Sequence, residues 1–478
     1  MAILAIDQGT SATKAVLLDD QNQVIGRVSA PVSVTHQSDG EAIADANHLW
    51  QSTVGAVSQL LTQSKEKITA VGLANQGESI LAWDKSTGEP LTEVIIWQDS
   101  RSAELCNQRK GEEQFVQSKT GLAIDPYFVA PKMLWLKKKY PNLPKNAVIT
   151  TSDTWLIYKL TGEFVTDKAT ASRTLLFDLH TLSWQQQLAD IWQIDINDLP
   201  TLVNNDQIVG QISCKELPAL SNLPLAATIV DQAAALFGQG CLKAGQVKCT
   251  FGTGAFLLAN IGQGVKISRH GLATSLAWQL TTSNSYYLDG QLFTAAAAVD
   301  WLIANNFLTD PQAIDQLPDA NGVIACPAFA GIGAPLWRPD ATATIMGLGL
   351  NHNKSHIAAA VVDGIAAGVA DLLLAVKSDG VELDQLRVDG GLTQSNKLMQ
   401  MQADLAQIPV EQFSHPDATA IGVGYLAMMA TNPYFSTADI AKAWQPSKQY
   451  LPKWSKDQAE NYLSRWKSMQ RVSLDRGK

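Results

Sequence analysis

The sequence predicts an α/β protein made of two related halves that close on a central cleft. Three observations point there. A chain of 478 residues is too long for one hydrophobic core and calls for two domains or three. Strand and helix patterns alternate from Leu386 to Met429, as they do around a parallel sheet. Each half also opens on a hairpin over a Gly-Thr turn, Gly9-Thr10 in the first and Gly252-Thr253-Gly254 in the second. Together they read as a nucleotide-binding unit used twice.

The first half begins with a β-meander, strands at 3–6, 13–18 and 24–28, with turns at Gly9 and at 19–22. Between the first two strands lies Asp7-Gln8-Gly9-Thr10-Ser11-Ala12-Thr13-Lys14. A Walker A loop would need GxxxxGK[ST] opening a helix, and this segment is a hairpin instead. Backbone N–H groups and hydroxyls in such a turn still make an anion nest, and Asp7 can hold Mg²⁺ directly or through water. A plain hairpin with a solvated aspartate is the competing reading.

Trp50, Val54, Val57 and Leu61 recur at helical spacing. A strand at 68–73 ends in Asn75-Gln76-Gly77-Glu78, and 80–83 is expected to pair back on it as a hairpin. A buried strand at 94–97 runs into Gln98-Asp99-Ser100-Arg101 and a helix through Leu105. Polar residues thus recur at strand ends, where open α/β sheets place ligands. Asp125-Pro126-Tyr127-Phe128 is a rigid turn carrying aromatics, and the helix after it, with Met133 and Leu134, reads as core. Asp153 is expected to cap a helix at 155–160 that Gly162 ends. Residues 164–227 carry no chemical signature, and 199–206 reads as a loop.

Near the middle of the chain, an apolar strand (Thr228-Ile229-Val230) meets Asp231-Gln232 and a small-residue helix. By itself Asp231 is equally a helix N-cap and a catalytic carboxylate. Strands at 246–251 and 256–260 follow, then an alanine-rich helix at 291–304 and a nearly all-apolar helix at 357–376. After them come a strand at 386–388, Asp389-Gly390-Gly391, a helix at 395–405, a strand at 410–413 and a helix at 419–429.

Composition narrows the partners. A net charge of −9, with no Lys/Arg run longer than Lys137-Lys138-Lys139, argues against nucleic acid or an anionic membrane. The apolar N-terminus stops at Asp7 and reads as a strand rather than a leader. The longest apolar stretch, 357–376, is interrupted by Asp363 and Asp371, so no membrane insertion is expected. Five cysteines without a CxxC fit a reducing cytoplasm. His352 and His356 have helical spacing but no third ligand, and His356 reads as a helix start.

These residues resemble the FGGY family of carbohydrate kinases, and within it the glycerol kinases, from Ile3 almost to the C-terminus. The markers are Asp7-Gln8-Gly9-Thr10, Asn75-Gln76 with Glu78, Trp97-Gln98, residues 121–128 (GLAIDPYF), 153–157 (DTWLI) and 171–174 (ASRT). Further on come Asp231-Gln232, Phe251-Gly-Thr-Gly254, Pro327-Ala-Phe with Gly333-Ala-Pro335, residues 343–363 with Gly347-Leu348 and His356, and 387–391 (RVDGG).

The resemblance implies two actin/hexokinase (ribonuclease H-like) ATPase domains around a central cleft. Residues 1–240 would carry the substrate site, catalytic base and phosphate hairpin, and 241–478 the nucleotide site. It implies ATP-dependent phosphorylation of a hydroxyl on a small polyol or sugar, with Mg²⁺. Asp231 would be the general base and Asp7 would organise the metal. Gly77, Glu78, Trp97, Tyr127, Asp231, Gln232 and Phe256 match substrate positions. Thr10, Ser11, Thr13, Lys14, Thr253, Gly254, Ala296, Asp300, Gly390, Gly391 and Ser395 match nucleotide positions, the two glycines passing close to the nucleotide because they lack a Cβ.

The departures bear on substrate. Glycerol kinases carry Arg where this chain has Gly77, and the space so left could admit a longer polyol or a ketose. Lys14 stands for an Arg, Ala296 for a Gly, Asp300 for a Gln and Ser395 for an Asn, while Val230 and Ala233 stand for Gly and Gln. The expected substrate is glycerol-like, with erythritol, erythrulose, xylulose or ribulose as the alternative. A non-catalytic nucleotide- or sugar-binding regulator is a remote third reading. The sequence leaves self-association open.

Overall fold

The computed structural model describes residues 2–36 and 40–475. Its frame is two large sheets of the same design. In the first, Ala2–Gln8 pairs antiparallel with Ala12–Asp19, which pairs antiparallel with Val24–Pro31. On its other edge Ala2–Gln8 pairs parallel with Ile68–Asn75, which pairs parallel with Pro224–Val230. In the second, Gln246–Phe251 is antiparallel to Ala255–Gly262 and that strand to Asn284–Leu292, while Gln385–Asp389 and Val410–Gln412 add on in parallel. A meander followed by parallel strands, used twice, is the duplication expected from the Gly-Thr hairpins.

Ala2–Gln8 is buried along its whole length and Ile68–Asn75 from Ala70 on, so they read as continuous apolar runs (Ile3-Leu4-Ala5-Ile6; Ala70-Val71) rather than alternating ones. The amphipathic helix Ala46–Gln63, capped by Asp45 accepting from the His48 N–H, buries Leu49, Val57 and Leu60. The helix Lys354–Ser378 is the one helix among the described residues long and apolar enough to cross a membrane. It lies inside the protein with 18 of its residues buried. His356 sits in its first turn, where its ring accepts from the Asn353 N–H, a capping role and not a metal ligand's.

The helix Ala418–Thr431, late in the chain, packs against the first sheet and crosses Asp231–Gly238. A Cβ on Gly422 would collide with the Ala234 carbonyl, and one on Gly238 with the Ala418 carbonyl, so only glycine permits this crossing. The crossing fixes the helix that carries Asp231 against elements drawn from both ends of the chain.

Four local expectations are corrected. Ile80–Asp84 does not fold back on Ile68–Asn75. Glu78 adopts φ +54 and turns the chain into a separate five-stranded sheet, where Ile80–Asp84 pairs with Ala147–Thr151. Residues 291–292 end the strand Asn284–Leu292, whose register with Ala255–Gly262 overrides helix propensity, and the helix is Ala296–Ala304. Asp153 lies within the helix Ser152–Thr161, behind the N-cap Thr151, and its buried carboxylate accepts from the Thr166 hydroxyl at 2.6 Å. Thr201–Val203, expected as loop, pairs in parallel with Val165–Asp167.

Candidate active site

Three neighbouring parallel strands of the first sheet end level with one another: Gln8 opposite Asn75, and Asn75 opposite Val230. That register brings the Gly9 turn, Gly77-Glu78 and Asp231 to one rim. They open into a cavity of about 230 Å³ lined also by Thr10, Ser11, Trp97, Tyr127, Gln232 and Phe256. All seven substrate positions expected from the sequence therefore meet in one place.

Asp231 is the first residue of its helix, and Val230 is the N-cap. One carboxylate oxygen accepts from the Gln232 N–H at 2.6 Å. Burial, then the nearby charges of Asp7 and Glu78, raise its pKa from 3.8 to about 7. A carboxylate poised there is free to accept a proton near neutrality. Beside it, buried Lys248 donates to the Gln232 amide oxygen at 2.5 Å and to Thr250 Oγ1 at 3.0 Å, which fixes that amide's orientation.

The aromatic wall is built edge to face. The Trp97 ring stands 5.8 Å from Tyr127 and 6.2 Å from Phe256, centroid to centroid, at steep interplanar angles. Trp97 Nε1 donates to Thr10 Oγ1 at 2.9 Å, and Thr10 donates to Gln76 Oε1 at 3.1 Å. The Gly-Thr turn and the aromatic wall are thus one hydrogen-bonded unit. Lys14 Nζ stands 3.4 Å from Asp7, whose carboxyl burial shifts upward.

Sequence reasoning left Arg173, Val230, Tyr287 and Asp289 unassigned, and the same cavity includes all four. Arg173 Nε pairs with Glu78 at 2.5 Å, one terminal nitrogen with Asp289 at 3.1 Å, and the other with Ser275 Oγ at 2.8 Å. Tyr287 and Asp289 are two apart on one strand and so share a face. That alternation was the available signal; for Arg173 it was the 171–174 segment, matched as a marker without a role.

A second cavity, about 460 Å³, opens beside the second sheet's Gly-Thr turn and is lined by Gly252, Thr253, Ala296, Asp315, Gly391 and Ser395 among others. The turn is stapled to the helix start, since Ala295 and Ala296 N–H groups donate to the Thr253 and Gly252 carbonyls at 2.8 and 3.0 Å. A Cβ on Gly391 would meet open space.

The nucleotide positions expected from the sequence do not all face this cavity. Thr13 is buried with its hydroxyl 2.7 Å from Ser52 Oγ, turned into the core. Gly254 and Gly390 do not line the cavity. A Cβ on the first would strike the Leu292 carbonyl and on the second the Phe251 carbonyl, so backbone crowding requires them. Asp300 is exposed one turn beyond Ala296 and outside the cavity lining. Ser395 lines it, yet its hydroxyl donates to Asp315 at 2.6 Å and accepts from the Leu398 N–H as an N-cap.

The models of the N-terminal and C-terminal domains of the FGGY family of carbohydrate kinases match residues 2–238 and 247–431. A glycerol kinase of Deinococcus radiodurans is 37% identical, over 97% of this chain and 96% of its own length. The crystal structure of Plasmodium falciparum glycerol kinase with ADP superposes with a TM-score of 0.93 at 31% identity, covering 99% of this chain and 98% of that one. A ligand-bound xylulose kinase from Lactobacillus acidophilus, 22% identical with a TM-score of 0.88 over 99% and 97% of the two chains, shares the fold.

Proposed function

The chain belongs to the FGGY family of carbohydrate kinases, and on that premise we propose that it moves the γ-phosphoryl group of ATP to a hydroxyl of a glycerol-like polyol or sugar, with Asp231 as general base. The observation that carries the reading is Asp231 itself: a carboxylate with a pKa of about 7, at the rim where the substrate cavity meets the Gly9-Thr10-Ser11 turn. Phosphoryl transfer asks a protein mainly to position its reactants and neutralise charge. Asp231 takes the proton of the attacking hydroxyl, while the Trp97, Tyr127 and Phe256 wall covers the carbon skeleton. Glu78 and Gln232 bind the remaining hydroxyls.

The first half of the chain, 1–240, supplies most of the substrate site, and the second, 241–478, the nucleotide cavity; Phe256, Tyr287 and Asp289 cross from one to the other. In this reading Thr253, Ala296 and Gly391 pass along the nucleotide, and Thr10, Ser11 and Lys14 face its phosphates.

The residues present fit Mg²⁺. Asp7 is buried, and the buried Asp417 carboxylate, which adds to the charge around it, keeps one oxygen without a hydrogen-bond partner. Asp7 would hold the ion, and Mg²⁺ supplies charge neutralisation at the phosphates when bound. Among the described residues no group of three or more His, Cys, Asp or Glu side chains is gathered for a metal, which suits an ion carried largely by phosphate and water. All five cysteines are free and buried, which supports work in a reducing cytoplasm.

The alternative, a four- or five-carbon polyol or ketose, rests on Gly77, which brings no side chain into the cavity and leaves the Val230 methyl group facing that space. Coupled ADP-release rates with glycerol, dihydroxyacetone, erythritol, threitol, erythrulose, xylulose and ribulose test the function. Turnover of at least one is expected, and turnover of none would overturn it.

A further inference from the structure

The charged side chains of the substrate cavity are unevenly signed. Asp231, Glu78 and Asp289 line it together with a single cation, Arg173. That cation is consumed: Glu78, Asp289 and Ser275 occupy three of its donor directions, and its guanidinium lies beside the Phe128 and Tyr127 rings, 5.2 and 5.8 Å from their centroids. Glu78 arrives from the strand ends of the first sheet and Asp289 from a strand of the second, so Arg173 bridges two carboxylates that belong to opposite sides of the cleft.

In each ion pair a single carboxylate oxygen is engaged, Oε1 of Glu78 and Oδ2 of Asp289. Asp289 keeps 17% of its side chain exposed where Glu78 keeps 6%, which makes Asp289 the more open acceptor. A partly buried carboxylate held by arginine accepts hydroxyl donors strongly and repels another carboxylate.

Resting on the kinase reading above, we propose that Asp289 is a specificity-determining residue: it accepts a hydroxyl of the substrate from the side opposite Glu78, so the site takes a neutral polyol or sugar and refuses a sugar acid. Tyr287, two residues back on the same strand, lines the cavity beside it.

The test compares neutral substrates (glycerol, erythritol, threitol, xylulose) with acids of matched length (glycerate, erythronate, xylonate), using wild type, Asp289→Asn and Asp289→Glu. Steady-state kinetics give kcat and KM, and calorimetry gives binding without turnover. Wild type is expected to favour the neutral member of the best matched pair at least about a hundredfold in kcat/KM, the order of loss when a buried charge meets a like charge. Asp289→Asn is expected to raise KM for the best neutral substrate about tenfold with kcat within about threefold, and to narrow the gap to the acid. Asp289→Glu, which keeps the charge, is expected to keep the refusal of acids.

Acids bound by wild type as tightly as neutral polyols would overturn the proposal. So would an Asn variant that loses kcat equally on every substrate, the mark of a merely structural role. Absence of ADP release from every substrate would instead strike the kinase reading, and calorimetric preference for neutral over acidic ligands would still decide the role of Asp289.

Discussion

Val230 Cγ2 lies 3.0 Å from the point a Cβ on Gly77 would occupy. The side chain absent at 77 has therefore not left simple empty room: the isopropyl group of Val230 faces that space. This changes what an arginine at 77 would do. Gly77→Arg alone is expected to cost about 1–3 kcal/mol of stability through overpacking and to leave the glycerol KM no better. Gly77→Arg with Val230→Gly is expected to recover stability and to lower the glycerol KM. Melting temperatures and glycerol kinetics of the single and double variants check this, and a single variant as good as the double would remove Val230 from the argument.

The Arg173 network makes a stability prediction. Arg173→Met would leave the buried Glu78 and the partly buried Asp289 without the cation that bridges them, a loss of about 3–5 kcal/mol for a broken buried pair. Urea denaturation should show a markedly lower midpoint. Adding Asp289→Asn to that background should recover part of the loss, since one uncompensated charge is removed.

Thr13 and Thr253 separate a core hydroxyl from a cavity hydroxyl. Thr13→Val breaks the buried pair with Ser52 and is expected to cost about 1 kcal/mol with little change in the ATP KM. Thr253 is exposed at the nucleotide cavity, and Thr253→Ala should raise the ATP KM several-fold with stability nearly unchanged. The two variants measured side by side for Tm and ATP kinetics check the assignment.

The raised pKa of Asp231, about 7 against 3.8, has two consequences of opposite sign. In the proposed role Asp231 works deprotonated, so kcat/KM should climb about tenfold per pH unit below neutrality and level off above it. The folded protein holds this proton more tightly than the unfolded chain, so the same shift removes stability as pH rises from about 4 to 7. Asp231→Asn should therefore raise Tm at pH 8 and do so much less at pH 5. A pH–rate profile and paired melting curves would show both.

The frame was legible because its signals are local. The Gly-Thr turns, the apolar runs of the central strands and the helical spacing of Trp50, Val54, Val57 and Leu61 are each written within a few residues. Seven of the residues that line the 230 Å³ cavity were named in advance through ordered motifs, Gly77-Glu78 and Asp231-Gln232 at strand ends among them. What stayed hidden depends on long-range placement. Nothing near Arg173 tells that its partners lie 95 and 116 positions away along the chain, at Glu78 and Asp289. Thr13 looked like its neighbours Thr10 and Ser11. Thr10 and Ser11 stay in the turn before the strand Ala12–Asp19, whereas Thr13 lies inside it, buried against Ser52. Gly390 carries a second demand that no neighbour in sequence announces: the Phe251 backbone leaves no room for a Cβ there.

The most direct test of the account is single-turnover phosphoryl transfer by Asp231→Asn with the best polyol of the panel, beside calorimetric binding of that polyol and of ATP. The account predicts transfer slowed about a hundred- to ten-thousandfold with both affinities within a few-fold of wild type. Transfer within tenfold of the wild-type rate would contradict it, because Asp231 would then not be the group that takes the proton.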